Sequence, residues 1–287
     1  MHLYILIIIA TIFLAGCSKV ASYKFWEVQA EERGFIKSEK SIAVDSLKHH
    51  LPKYFTDERF GPIAREVFDK LPEYSLIISK AYSQANSGYR VDVIYQTHSF
   101  KGATKEQIEW VNQAQLLVVK ILQGLKPELV SWEGVEEGLT DYSSLAYSRT
   151  GLSDIGISAL RSLGIPTDQI EVSNDTGIEA KTIYLKDSPG LNMGFEDPSL
   201  HSLHSQALLA VSQDRSLINL CISIQCVRGE LAFAKTFTML KTKNLHHGVI
   251  VIGNGHRELD LITLNAGVRS SLYDASNGLN LQPLIQR

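Results

Sequence analysis

The stretch YRVDVIYQTHSFKGATKEQIEWVNQAQLLVVKILQGLKPELVSWEGV, Tyr89 to Val135, decides the fold. It opens with an apolar, β-branched run through Val91, Val93 and Ile94 that reads as a strand ending near Tyr95. From Thr104 to Leu125 the apolar residues Ile108, Val111, Leu116 or Leu117, and Ile121 recur at helical spacing. The segment PELVSWEGV then returns as a second strand. A strand, a helix and a strand within about forty-five residues suit a right-handed crossover between parallel strands.

The same alternation continues outward. Helical patterns fall on DYSSLAYSR (141–149) and LSDIGISALRSLG (152–164), a strand leads into Met193-Gly-Phe-Glu-Asp197, and helices are expected near 198–213 and 215–242. The apolar run Gly248 to Asn254 is a further strand, with another helix behind it. Residues 86–287 are therefore expected to form an α/β domain with a largely parallel central sheet and helices on both faces. Upstream, Thr56 to Leu71 offers an N-cap and the spaced apolar set Ile63, Val67, Phe68 and Leu71, so residues 41–85 read as a helical N-terminal extension.

The first sixteen residues read as a targeting segment. Leu3 to Ala15 is almost wholly apolar, and thirteen residues rise only about 20 Å as a helix, short of a hydrocarbon core of about 30 Å. Leu14-Ala15-Gly16-Cys17 looks like a bacterial lipobox, with Cys17 the lipidated first residue of the mature chain and residues 17–40 a charged tether. Ser18 after that cysteine is what resemblance to lipoproteins sorted to the outer membrane implies. The expected location is the bacterial cell envelope, as a lipoprotein of the outer membrane facing the periplasm. Cys221 and Cys226 are five apart on one predicted helix, about 140° around its axis, and read as two buried thiols. Lys plus Arg number 28 against 31 Asp plus Glu, a net charge of −3, so the basic surplus that would draw phosphates is missing and nucleic acid is not the expected partner.

In a parallel sheet, function collects at the carboxyl ends of strands. Those ends carry Gln96-Thr97-His98, Trp132-Glu133-Gly134, Gly194-Phe195-Glu196-Asp197 and Gly253-Asn254-Gly255-His256. Two histidines and two or three carboxylates are thus expected along one edge, with Arg228 joining them in a single cleft. His201 and His204, three apart on one helical face, read as a solvated pair, as do His246-His247 and His49-His50.

These elements, taken in order with the Arg228-Gly-Glu-Leu-Ala-Phe segment, resemble the superfamily of TraB-like proteins, TIKI proteases, erythromycin-esterase-like enzymes and ChaN-like haem-binding lipoproteins. The resemblance spans residues 90 to 275. Asn254 in the last motif, together with the lipobox, leans toward the ChaN-like branch, which implies haem or a metal as ligand. Tyr95 and Gln96 stand where those families have Gly and Glu, and the Gln96 amide supplies no negative charge and takes no proton.

The side chains themselves allow several chemistries. His98 or His256 can act as general base on water, with Glu133 or Glu196 orienting the imidazole. Arg228 can bind a carboxylate or oxyanion, or pair with a glutamate and stitch sheet to helix. His98, His256 and Glu133 suffice for a divalent metal site with one open position, while Gln96 and Asn254 are candidate ligand contacts. Three classes of function follow: a carrier of a small-molecule, haem-type or metal ligand, a His/Glu-based or metal-dependent hydrolase, and a structural lipoprotein.

Overall fold

The computed structural model describes residues 41–98, 104–141, 179–188, 190–211, 214–277 and 285–286. The targeting segment, Cys17, the tether and the two helical patterns at 141–149 and 152–164 lie outside the described residues. Within them, the Tyr89–Val135 reading is borne out. Strand β1 (Arg90–Gln96) is buried from Val91 to Gln96 on both faces, as a central strand of a parallel sheet must be. Helix α3 (Lys105–Leu125) begins at a capping box in which Thr104 and Gln107 each bond the other's backbone N–H. Strand β2 (Leu129–Glu136) follows.

Chain order supplies the other elements. Helix α1 (Ile42–His50) and α2 (Gly61–Gln84) come first. After β2 come β3 (Gly138–Leu139), the short α4 (Ala180–Tyr184), β4 (Leu191–Glu196), α5 (Pro198–Ala210) and the long α6 (Ile218–Lys243). The chain ends with β5 (His247–Gly253), α7 (Leu259–Asn265), β6 (Ser271–Asp274) and β7 (Ile285–Gln286). The described strands form one sheet in the order β3-β4-β2-β5-β1-β6-β7. β1 runs parallel to β5 and β6, and β2 parallel to β5, whereas β3/β4 and β6/β7 at the two edges are antiparallel.

Two compact units divide the chain: one draws on Met1–Ala85, Glu196–Lys235 and His256–Gly267, the other on Asn86–Phe195, Thr236–Gly255 and Val268–Arg287. Residues 41–85 carry α1 and α2, which are grouped in one unit with α5 and the first part of α6. In the sheet unit, Ile94, Val130, Trp132, Val249 and Val251 share a core with Leu117, Val118, Ile121 and Leu122 of α3 and with Ile183 and Tyr184 of α4. On the opposite face the Thr236 hydroxyl of α6 donates to Ser131 Oγ at 2.8 Å. A Cβ added at Gly248 would lie 3.2 Å from the side chains of both Thr236 and Leu240. Helices thus cover both faces. Gly194 lets β4 approach β2, since a side chain there would strike the carbonyl oxygens of Val135 and Glu136.

The helical unit is built on α2, whose residues Ala64, Val67, Leu71, Tyr74, Ile78 and Ala81 recur at helical spacing and are buried. This helix starts at Gly61, not Thr56, because Pro62 takes the first-turn position where its missing N–H costs nothing, and it runs past Pro72 to Gln84. Asp197 caps α5 by accepting the Leu200 N–H at 3.0 Å, and Lys70 of α2 reaches Asp197 at 3.2 Å and Ser199 at 2.9 Å. Helix α6 is long and apolar enough to cross a membrane by length and composition, yet most of it is buried inside the protein. Cys221 and Cys226 sit on it as buried residues, and burial pushes the Cys221 thiol up to about 11.

Candidate functional site

At the carboxyl end of β1, the buried Gln96 is held by a second buried amide, Gln115 of α3. Gln115 Nε2 donates to Gln96 Oε1 at 3.1 Å and to the Thr97 carbonyl at 2.6 Å, while Gln115 Oε1 accepts the Ala180 N–H at 2.7 Å. One side chain therefore fixes the strand exit and the start of α4 together. The Asn254 N–H donates to the Gln96 carbonyl at 2.8 Å, which joins the exit of β5 to that of β1.

These bonds place His98 beyond the end of β1, and Glu133 reaches it from β2. Glu133 Oε2 accepts the Gly253 N–H and lies 3.5 Å from His98 Nε2. The imidazole side chain is 42% exposed and the carboxylate 13%, so the base faces outward with its acid behind it. Desolvation lowers the His98 pKa, but the bond and charge of Glu133, with Glu179 adding to them and Lys181 opposing, raise it above the ordinary value. Lys181 itself pairs with Glu179 at 2.8 Å.

In the helical unit, Glu196 and Arg228 form a buried pair. Arg228 Nε donates to Glu196 Oε2 at 3.2 Å and its NH2 group lies 2.5 Å from Oε1, both side chains being 6% exposed. The remaining terminal nitrogen meets His204 Nδ1 at 2.9 Å. A guanidinium only donates, so Nδ1 accepts and the neutral ring carries its proton on Nε2. His201, 49% exposed, sits 3.9 Å from Glu196 Oε2. The histidines expected as a solvated pair are thus unlike one another, because His204 is buried on the inner face of α5 while His201 is outside. His247 is likewise no free surface residue, since its Nε2 contacts the buried Asp92 at 2.9 Å.

His256 is buried, and its Nδ1 contacts Glu258 Oε1 at 2.8 Å. Gly229 makes room for that carboxylate, since a Cβ there would stand 2.5 Å from Glu258 Oε1.

The strand-end residues therefore fall into groups, each within one unit: Gln96, His98, Glu133 and Asn254 in the sheet unit, and Glu196, Arg228 and His256 in the helical one. Arg228 is paired with Glu196 within the helical unit. Among the described residues, no group of three or more His, Cys, Asp or Glu side chains is placed to hold a metal ion. Sequence reading missed Gln115, Glu179, Lys181 and Glu258, and took the buried His204 for a solvated residue. Gln115 alone carried a signal, as a polar residue on the apolar stripe of Ile108, Val111, Val118 and Leu122. No family model, no curated protein and no solved structure matches the chain.

Proposed function

We propose that the chain is a lipid-anchored protein of the bacterial cell envelope, akin to ChaN-like lipoproteins, that binds a small haem-type ligand at the carboxyl edge of its sheet. The observation that carries this reading is the His98–Glu133–Gly253 arrangement: an outward-facing imidazole backed by a carboxylate that a main-chain N–H holds in place. A carboxylate behind a ligating histidine orients the ring and raises its basicity. Haem iron needs as little as one such protein nitrogen, whereas a divalent ion needs several ligands converging on one point. With Nε2 turned to Glu133, Nδ1 is the nitrogen for the ligand. The same pair supports hydrolysis as a second reading, with His98 as general base toward water and Glu133 orienting it.

Titration of hemin into the detergent-extracted full-length protein, followed in the Soret band, tests the proposal. His98→Ala is expected to weaken binding by at least about tenfold, the loss of one axial bond, and Glu133→Gln by about tenfold at the lower end of outer-shell effects. Unchanged hemin binding by His98→Ala rejects the ligand reading. Turnover of ester or peptide probes that His98→Ala abolishes would instead favour the hydrolase. In the same preparation the mature chain is expected to start at Cys17 with acyl chains attached, and an unmodified N-terminus in its mass spectrum rejects the anchor.

A further inference from the structure

Glu230, on α6, is a buried carboxyl that neither reading uses. Its Oε2 accepts a hydrogen bond from Ser41 Oγ. Ser41 is the N-cap of α1, and the same Oγ accepts the Val44 N–H at 3.0 Å. One hydroxyl thus closes the start of α1 and bonds the carboxyl. Seven residues earlier on α6, Ser223 Oγ lies 2.8 Å from Ser46 Oγ of α1, so polar contacts join the helices at two levels. Ala43, Val44, Leu47 and Leu51 are buried over the same stretch.

We propose that Glu230, buried against the start of α1, is a proton-operated latch: α1 is held on α6 while the buried carboxyl is neutral and is released as the pH rises. The groups that bear on Glu230 are Ser41 at the start of α1, the Glu258 carboxylate just before α7, and the Tyr82 phenol of α2, which senses the Glu230 charge. None of them is a cation. Glu258 is in turn engaged with His256. Burial drives the Glu230 carboxyl up to about 8 from an ordinary 4.5, with Ser41 pulling it down and Glu258 pushing it further up. The latched state therefore keeps its proton at pH values where an opened, hydrated Glu230 gives it up.

The sign follows from linkage. Because the latched pKa is the higher one, α1 is held most firmly below pH 4.5, and its hold weakens as pH climbs toward 8. Opening grows about tenfold per pH unit across that window and levels off above it. Hydrogen exchange of the full-length protein between pH 5.5 and 7.5, corrected for intrinsic chemical rates, reads this directly. Amides of α1 are expected to lose protection by about a hundredfold over those two units, while those of α3 do not follow. Glu230→Gln keeps an acceptor for Ser41 without a titrating group, and its α1 protection is expected to be flat with pH. Three results overturn the latch: pH-independent protection of α1 in the wild type, equal loss in α1 and α3, or an unchanged slope in Glu230→Gln. If the glutamine variant does not fold, the wild-type comparison of α1 with α3 decides alone.

Discussion

Arg228→Ala is expected to lower the unfolding free energy by about 3–5 kcal/mol, the usual cost of removing one partner from a buried ion pair. The geometry explains why the loss is large. Arg228 gives two nitrogens to Glu196 and a third to His204, and the pair is almost wholly out of water. Truncation leaves a buried carboxylate without its cation and a buried imidazole without that donor. Chemical denaturation of the variant measures the effect as a shift in midpoint at constant slope. The double variant Arg228→Met with Glu196→Leu is expected to recover most of the loss, since it removes both charges. A cost for Arg228→Ala within about 0.5 kcal/mol, the range of surface substitutions, would mean that the pair holds nothing together and that Arg228 is spare for a ligand after all.

Trp132→Ala is expected to cost a similar about 3–5 kcal/mol, from the cavity left by a large buried ring. Trp132 is 1% exposed on β2, its indole N–H donates to Asn192 Oδ1 at 3.0 Å, and its ring stands 6.0 Å from that of Tyr184. Trp132→Phe keeps most of the volume and loses the donor, so its cost is expected to be the smaller about 1–3 kcal/mol of one buried acceptor left unmatched. Urea unfolding of both variants separates the contributions, and equal costs would show that shape counts for nothing at this position.

The sheet was legible in the sequence where its elements are long and periodic. β1, α3, β2 and β5 carry apolar runs or spacings that no other structure satisfies, and Thr104 with Gln107 marks the helix start. β6 was not seen, because its four residues begin and end in Ser271 and Asp274, and polar ends hide a buried strand. The start of α2 was placed too early because Thr56 is a good cap by type, whereas Pro62 sets where the first turn begins. In the site, His98, Glu133 and Gln96 could be picked out since a strand end fixes position within a residue or two. The partners of Gln115 and His204 could not, because a buried polar group is defined by what another part of the chain brings to it.

The strand order also carries a kinetic consequence. β1 pairs with β5 and β6, both supplied by residues 247–274, so the middle of the sheet cannot close until a chain segment some 150 residues later is available. A chain made from its N-terminus holds β1 with both edges bare until β5 is available, and β2, which pairs with β5 on one side, waits there for the same strand. Edges of this kind recruit other strands. The folding of this protein is therefore expected to wait on long-range closure by its C-terminal strands.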